Sequence, residues 1–149
     1  VTPSLLVATM GGVGRARFAP GTWGSLVALP ALLLGREAIL VLALLIGALG
    51  WMAVLDVLKG RESEDPGWIV VDETAGMLVA LAGLPAGAGW LGAAAAFALF
   101  RAFDILKPWP VSWADGLHGA TGVMLDDILA GVIVAALLVL FGFAMPGVL

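Results

Sequence analysis

Residues 38–58 read AILVLALLIGALGWMAVLDVL, 21 residues whose only charge, Asp56, lies near the end. At about 1.5 Å of rise per residue this stretch is about 30 Å long, the thickness of a bilayer's hydrocarbon core. Its reading decides the fold class: a transmembrane α-helix. The rest of the chain agrees. Hydrophobic residues make up 62% of it and charged residues 12%, against about 45–50% and about 25% in soluble domains. A soluble domain of 149 residues could not bury that much apolar surface. Cysteine is absent, which excludes disulfides, thiolate metal sites and a cysteine nucleophile. The first apolar run, Ser4–Met10, is short and has no basic flank, so it does not read as a secretory signal peptide.

Outward from this span, Ser25–Leu34 is apolar but short and carries Pro30, which predicts a short or tilted helix joined to the span by Gly35-Arg36-Glu37. After the polar Lys59–Pro66, a helix is expected from Gly67 or Trp68 to Leu84, ended by Pro85-Ala86-Gly87-Ala88-Gly89. Another covers Trp90–Lys107, because the residue before Pro108 is pushed out of helical geometry. The last covers Asp126–Phe143, opening on its two aspartates. Residues 108–125, rich in Pro and Gly, read as a folded loop. The expected architecture is all-α: one domain over residues 1–149, a polytopic membrane bundle of about five helical segments, three or four of them true spans.

The charges gather in three islands, Gly12–Ser25, Lys59–Glu73 and Arg101–Asp127. Tracing the spans brings all three to one side. That side holds Arg15, Arg17, Lys59, Arg61, Arg101 and Lys107, and the other holds only Arg36. The positive-inside rule makes the first side cytoplasmic. Trp23, Trp68, Trp109 and Trp113 fall at that interface and Trp90 at the other, as in an aromatic belt.

Ionisable groups at membrane depth are costly unless paired, hydrated or bound to a cation. Asp72-Glu73 and Asp126-Asp127 each have a bland explanation, since acidic residues near a helix N-terminus favour the dipole. Four carboxylates converging at one level would repel one another, and a divalent cation removes that cost. Hard oxygen ligands point to Mg²⁺ or Mn²⁺ rather than zinc. Arg101 and Asp104 are three apart, as are Asp104 and Lys107, so each pair shares a helical flank. Arg101 and Lys107 suit phosphate oxygens, and Asp104 would orient Arg101 or join the metal shell; a structural ion pair is the competing explanation. Pro20-Gly21-Thr22-Trp23-Gly24-Ser25 is a glycine-rich entry to a helix, a shape that binds anions but is more often a tight turn. It is no Walker loop, because no Gly-Lys-Ser/Thr follows. His118, the only histidine, is either incidental or an acid or base beside a phosphate.

Taken together, APGTWGSLVALP (Ala19–Pro30), IVVDETAGM (Ile69–Met77), FRAFDILKPWP (Phe100–Pro110) and GVMLDDILAG (Gly122–Gly131) resemble the phosphatidylglycerophosphatase A family, in order and spacing, over essentially the whole chain. Arg17 and Gly119-Ala120 depart from the family's pattern, in loops. The resemblance implies a Mg²⁺-dependent phosphatase of the bacterial inner membrane, its site at the cytoplasmic face. The expected metal ligands are Asp72, Glu73, Asp126 and Asp127. The expected catalytic residues are Arg101, Asp104, Lys107, Glu73, Asp126 and Asp127. Substrate binding would fall to Gly21, Thr22, Ser25, Arg101, Lys107 and His118. The expected partners are a phospholipid and the membrane, with no nucleic acid, and the Gly- and Ala-rich helices leave a homo-oligomer open.

Two rival classes make different demands. A CDP-alcohol phosphotransferase needs Asp-Gly-x-x-Ala-Arg, whereas Asp115-Gly116 continues Leu-His-Gly-Ala. A small ion or proton transporter needs polar residues along a path, and Leu78–Leu84 and Val132–Phe141 contain none.

Overall fold

The structure, a computed structural model, describes residues 1–149 and is all helical. Seven α-helices follow in order: α1 Pro3–Ala8, α2 Pro20–Val27, α3 Arg36–Val57, α4 Val71–Leu81, α5 Trp90–Leu106, α6 Val111–Asp115 and α7 Gly119–Ala144. Short 3-10 turns occupy Val13–Arg15 and Leu29–Leu33. Two helices, α3 and α7, are long and apolar enough to cross a membrane.

The helix α4 is the hub. Nine of its 11 residues are buried, and it packs on α7, α3, α2 and α5. Glycine makes this possible. A Cβ at Gly76 would run into the Asp127 backbone carbonyl and lie 2.8 Å from the Phe100 ring; one at Gly131 would run into the Gly76 carbonyl. The two helices therefore meet backbone to backbone. Phe100, Met77, Leu81 and Val134 close the core on one side of this contact, and Val54, Leu58, Val71 and Met124 on the other. In contrast, α3 buries few residues and leaves Leu40, Leu44, Met52 and Leu55 exposed, an apolar face of the kind lipid covers.

Several boundaries differ from those expected. The expected helix over Ser25–Leu34 is instead α2, which starts at Pro20, and a 3-10 turn. Pro30 has no N–H and its ring would crowd the carbonyl four residues back, so the α-helix stops at Val27. Proline at the first position of α2 suits that place, where the N–H has no partner anyway. Helix α4 is shorter than Gly67–Leu84, so Asp72 and Glu73 sit in its first turn. Helix α7 begins at Gly119, seven residues before Asp126, and α6 forms within the presumed loop. Gly122 does not break α7: a Cβ there would strike the Leu117 carbonyl, so glycine lets the preceding turn fold against the helix. Asp126 and Asp127 thus lie about two turns into α7, beyond the reach of its N-terminal dipole.

Two ends can be told apart. At one, Arg36 donates to the Leu84 carbonyl at 2.9 Å and the Gly89 N–H donates to Leu149 O at 3.0 Å. At the other, the Val70 N–H donates to Ala8 O at 2.9 Å and the Gly119 N–H to Glu62 O at 2.8 Å. The three polar islands share this second end, with α3 running the length between.

Candidate active site

Four elements build the site. Helix α4 brings Asp72 and Glu73, α7 brings Asp126 and Asp127, α5 brings Arg101 and Asp104 with Lys107 just past its end, and α2 brings Gly21. Carboxylate oxygens of Asp72, Glu73 and Asp127 all lie within 4.8 Å of one another. Asp72 and Asp127 are buried and Glu73 is partly buried. Glu73 Oε2 and Asp127 Oδ1 are buried with no hydrogen-bond partner. Unpartnered buried oxygens in mutual repulsion are what a hard, oxygen-seeking cation satisfies, so the residues fit a divalent metal.

The two acidic doublets are built alike at the backbone. Asp72 Oδ1 accepts the Glu73 N–H at 3.0 Å, and Asp126 Oδ1 accepts the Asp127 N–H at 2.9 Å. They differ in aim. Adjacent residues of a helix point about 100° apart, and Asp126 turns away from the triad to accept Lys107 Nζ at 2.7 Å.

Arg101 and Asp104 form an ion pair through Nη1 and Oδ2, on the shared flank their spacing implies. Arg101 Nε is buried with no partner. A Cβ at Gly21 would collide with the Glu73 carboxylate and come within 3.3 Å of Arg101 Nη1, so a larger residue there would push these side-chain ends aside. Lys107 caps α5 with a left-handed backbone, φ 48°. Its Nζ lies 2.7 Å from Asp126, 3.2 Å from Asp115 and 3.9 Å from Asp104. Burial works against the ammonium charge, but the bond to Asp126 and the nearby carboxylates outweigh it and hold Lys107 above the usual lysine range.

The other candidates are placed as follows. Ser25 is buried and its hydroxyl donates to Gly21 O at 2.9 Å, inside its own helix. Thr22 is partly buried on the same helix. His118 is exposed at the start of α7, beside a cavity it shares with Glu62, Glu64, Asp65 and Asp115. Two residues went unforeseen. Asp115 reaches Lys107 across the Pro108–Pro110 turn, at a spacing no helical or strand period would flag. Thr74 ties α4 to α2, its hydroxyl donating to Gly24 O at 2.7 Å; a threonine hydroxyl in an apolar helix was the available signal.

The family model described as phosphatidylglycerophosphatase A matches residues 6–142. The chain belongs to the phosphatidylglycerophosphatase A family. "Phosphatidylglycerophosphatase A" of Escherichia coli K12 is 38% identical over 149 residues, covering 97% of this chain and 86% of that protein. The protein of the same name from Haemophilus influenzae is 38% identical over 138 residues, 89% of this chain and 84% of its own. A Bacteroides thetaiotaomicron protein named "Putative phosphatidylinositol-3-phosphatase" is 41% identical over 141 residues, 86% of each chain. No solved structure matches. The four strings that resemble the phosphatidylglycerophosphatase A family all lie within the matched residues.

Proposed function

We propose that this chain hydrolyses the terminal phosphomonoester of phosphatidylglycerophosphate to give phosphatidylglycerol and phosphate, with Mg²⁺, at the cytoplasmic face of a bacterial inner membrane. Family membership supports the reaction. The observation that carries the site assignment is the set of buried polar atoms without partners, Glu73 Oε2, Asp127 Oδ1 and Arg101 Nε, on side chains that converge between α2, α4, α5 and α7. Two are acceptors awaiting a cation and one is a donor awaiting an anion. A phosphoryl group with its metal satisfies both.

In this reading Asp72, Glu73 and Asp127 hold Mg²⁺, which when bound supplies charge neutralisation and a water of lowered pKa. Arg101, steadied by Asp104, donates to phosphoryl oxygens, and Lys107 balances their charge. Water attacks phosphorus in line with the leaving glycerol oxygen, and positioning and electrostatics carry most of the rate. A carboxylate not tied to the metal takes the water's proton and the leaving oxygen gains one, so one water is consumed. Asp126 serves by fixing Lys107. Gly21 lets α2 approach Glu73 and Arg101 closely, with Thr22 and Ser25 on the same helix behind them. His118 lines a cavity next to the site, shared with the Asp115 that pairs with Lys107, and is given no step in this proposal.

The exposed apolar side chains of α3, with the six Lys/Arg gathered at the site's end, support residence in the membrane with that end in the cytoplasm. The deciding assay is phosphate release from phosphatidylglycerophosphate in detergent micelles, with Mg²⁺ or EDTA, for wild type and Asp127→Asn. Release that needs Mg²⁺ and collapses in the variant is expected. Release from phosphatidylinositol 3-phosphate alone would overturn the substrate, and undiminished release in EDTA the metal.

A further inference from the structure

Every ion pair in the chain belongs to Arg61, Arg101 or Lys107. Arg15 and Arg17 are exposed and belong to none. Residues 1–36 contain no Asp or Glu, so nothing near them in sequence neutralises their charge. The segment that carries them is fixed in place. A Cβ at Gly14 would strike the carbonyl of Trp68, three residues before α4, and one at Gly21 would strike the Glu73 carboxylate in the first turn of α4. Both ends of the arch Arg15–Pro20 therefore lie against the start of α4, where the site is. Phe18 in this arch is 83% exposed, and Trp23, one turn into α2, is 53% exposed. Exposed aromatic side chains of a membrane protein sit at headgroup level, so they hold the two guanidinium groups there. Another rim of the site has the opposite sign. Glu62, Glu64, Asp65 and Asp115 line the cavity beside His118, and Arg61 is paired with Glu64.

We propose that this arch is a docking surface for anionic phospholipid headgroups, and that the substrate reaches the site from its side. The proposal rests on the reading of the site as one that acts on a phospholipid. A terminal phosphomonoester carries about −1.5 to −2 at neutral pH, in addition to the charge of the lipid's diester. The acidic rim repels such a headgroup and the arch attracts it. Arg15 and Arg17 touch no reacting atom. They raise the concentration of anionic lipid beside the start of α4, as charges at the mouth of a site do. A zwitterionic headgroup has no net charge for them to attract.

The test uses the full chain in neutral detergent: wild type, a double variant with Arg15→Gln and Arg17→Gln, and another with Arg15→Lys and Arg17→Lys. Dissociation constants are measured for short-chain phosphatidylserine, an anionic diester that is neither substrate nor product of the proposed reaction, and for short-chain phosphatidylcholine. The glutamine variant should bind phosphatidylserine about fivefold more weakly for each arginine lost. Its binding of phosphatidylcholine should not change, and the lysine variant should match wild type. KM for phosphatidylglycerophosphate should rise in the glutamine variant with kcat unchanged, and the difference should vanish in about 1 M salt, where the Debye length is about 3 Å. Equal binding of phosphatidylserine by wild type and the glutamine variant would overturn the proposal. So would a loss of the same size for phosphatidylcholine or in the lysine variant, because altered shape rather than charge would then be its cause. A wild type with charge-dependent lipid binding that releases no phosphate from phosphatidylglycerophosphate would refute the phosphatase reading alone.

Discussion

Gly76→Ala isolates the backbone contact on which the site is built. An alanine Cβ at this position would lie 2.8 Å from both the Asp127 carbonyl carbon and the Phe100 ring, where ordinary contact begins at 3.4 Å. Helices α4 and α7 would have to part by more than about 0.6 Å, the difference between these distances, because the Asp127 carbonyl oxygen lies nearer still. Overpacking of this kind costs about 1–3 kcal/mol, and backbone on the far side places it toward the upper end. Alanine returns up to about 1 kcal/mol of helix propensity. The net loss is about 1–2 kcal/mol, or about 2–8 °C in Tm for a chain of this length. Activity should suffer more than stability, because Asp127 itself is pushed from Asp72 and Glu73. A displacement of about 1 Å can cost about 10²-fold, so about tenfold is expected here. The assay pairs thermal unfolding in detergent with phosphate release. Gly47→Ala is the internal control: nothing lies within 4 Å of its Cβ, so only the gain in propensity remains. If Gly76→Ala kept wild-type activity and Tm, the rigid α4–α7 contact would not be what spaces the carboxylates.

Three further outcomes are expected. At an effective dielectric of about 20, carboxylates 4.8 Å apart repel by about 3 kcal/mol per pair, and Mg²⁺ at a hundred times its Kd would add about 2.7 kcal/mol of stability. A rise in Tm of about 5–10 °C should follow in the wild type and shrink in Glu73→Gln; equal shifts in both would place the metal elsewhere. Thr74→Val removes the hydroxyl bond to Gly24 O, and should cost about 1 kcal/mol in unfolding together with a lower kcat/KM, since α2 then loosens beside Glu73. Arg36→Ala removes the bond to the Leu84 carbonyl at the opposite end, so a Tm loss of about 2–4 °C with unchanged kcat is expected; a large fall in kcat would mean that the two ends communicate.

The legibility of the sequence followed its chemistry. Helix α3 was readable to within two residues at its start and one at its end because no charged residue lies between Glu37 and Asp56. The end of α5 was readable because Pro108 forbids continuation. The start of α7 was not, since Gly119 and Gly122 look like breakers in isolation. Gly122 admits the Leu117 carbonyl and Gly119 takes a left-handed backbone, φ 73°, and both needs exist only once α6 is packed. Within the site, Arg101 and Asp104 were readable as neighbours from helical spacing. The acidic doublets drew attention as charges in an apolar chain, but which member faces which partner depends on the rotation of α7. The grip of Asp115 on Lys107 crosses a proline-flanked turn and has no periodic signature.

That rotation has a mechanical consequence. Asp126 and Asp127 are consecutive on one rigid helix, one joined to Lys107 and the other to the carboxylate triad. Turning α7 about its axis swings both together, like two teeth on one gear. Any motion that opens the cation side also drags the lysine on the anion side, and neither half of the site can be retuned alone. A change that shifts α7, however far from the chemistry, should therefore alter metal affinity and phosphate affinity in step.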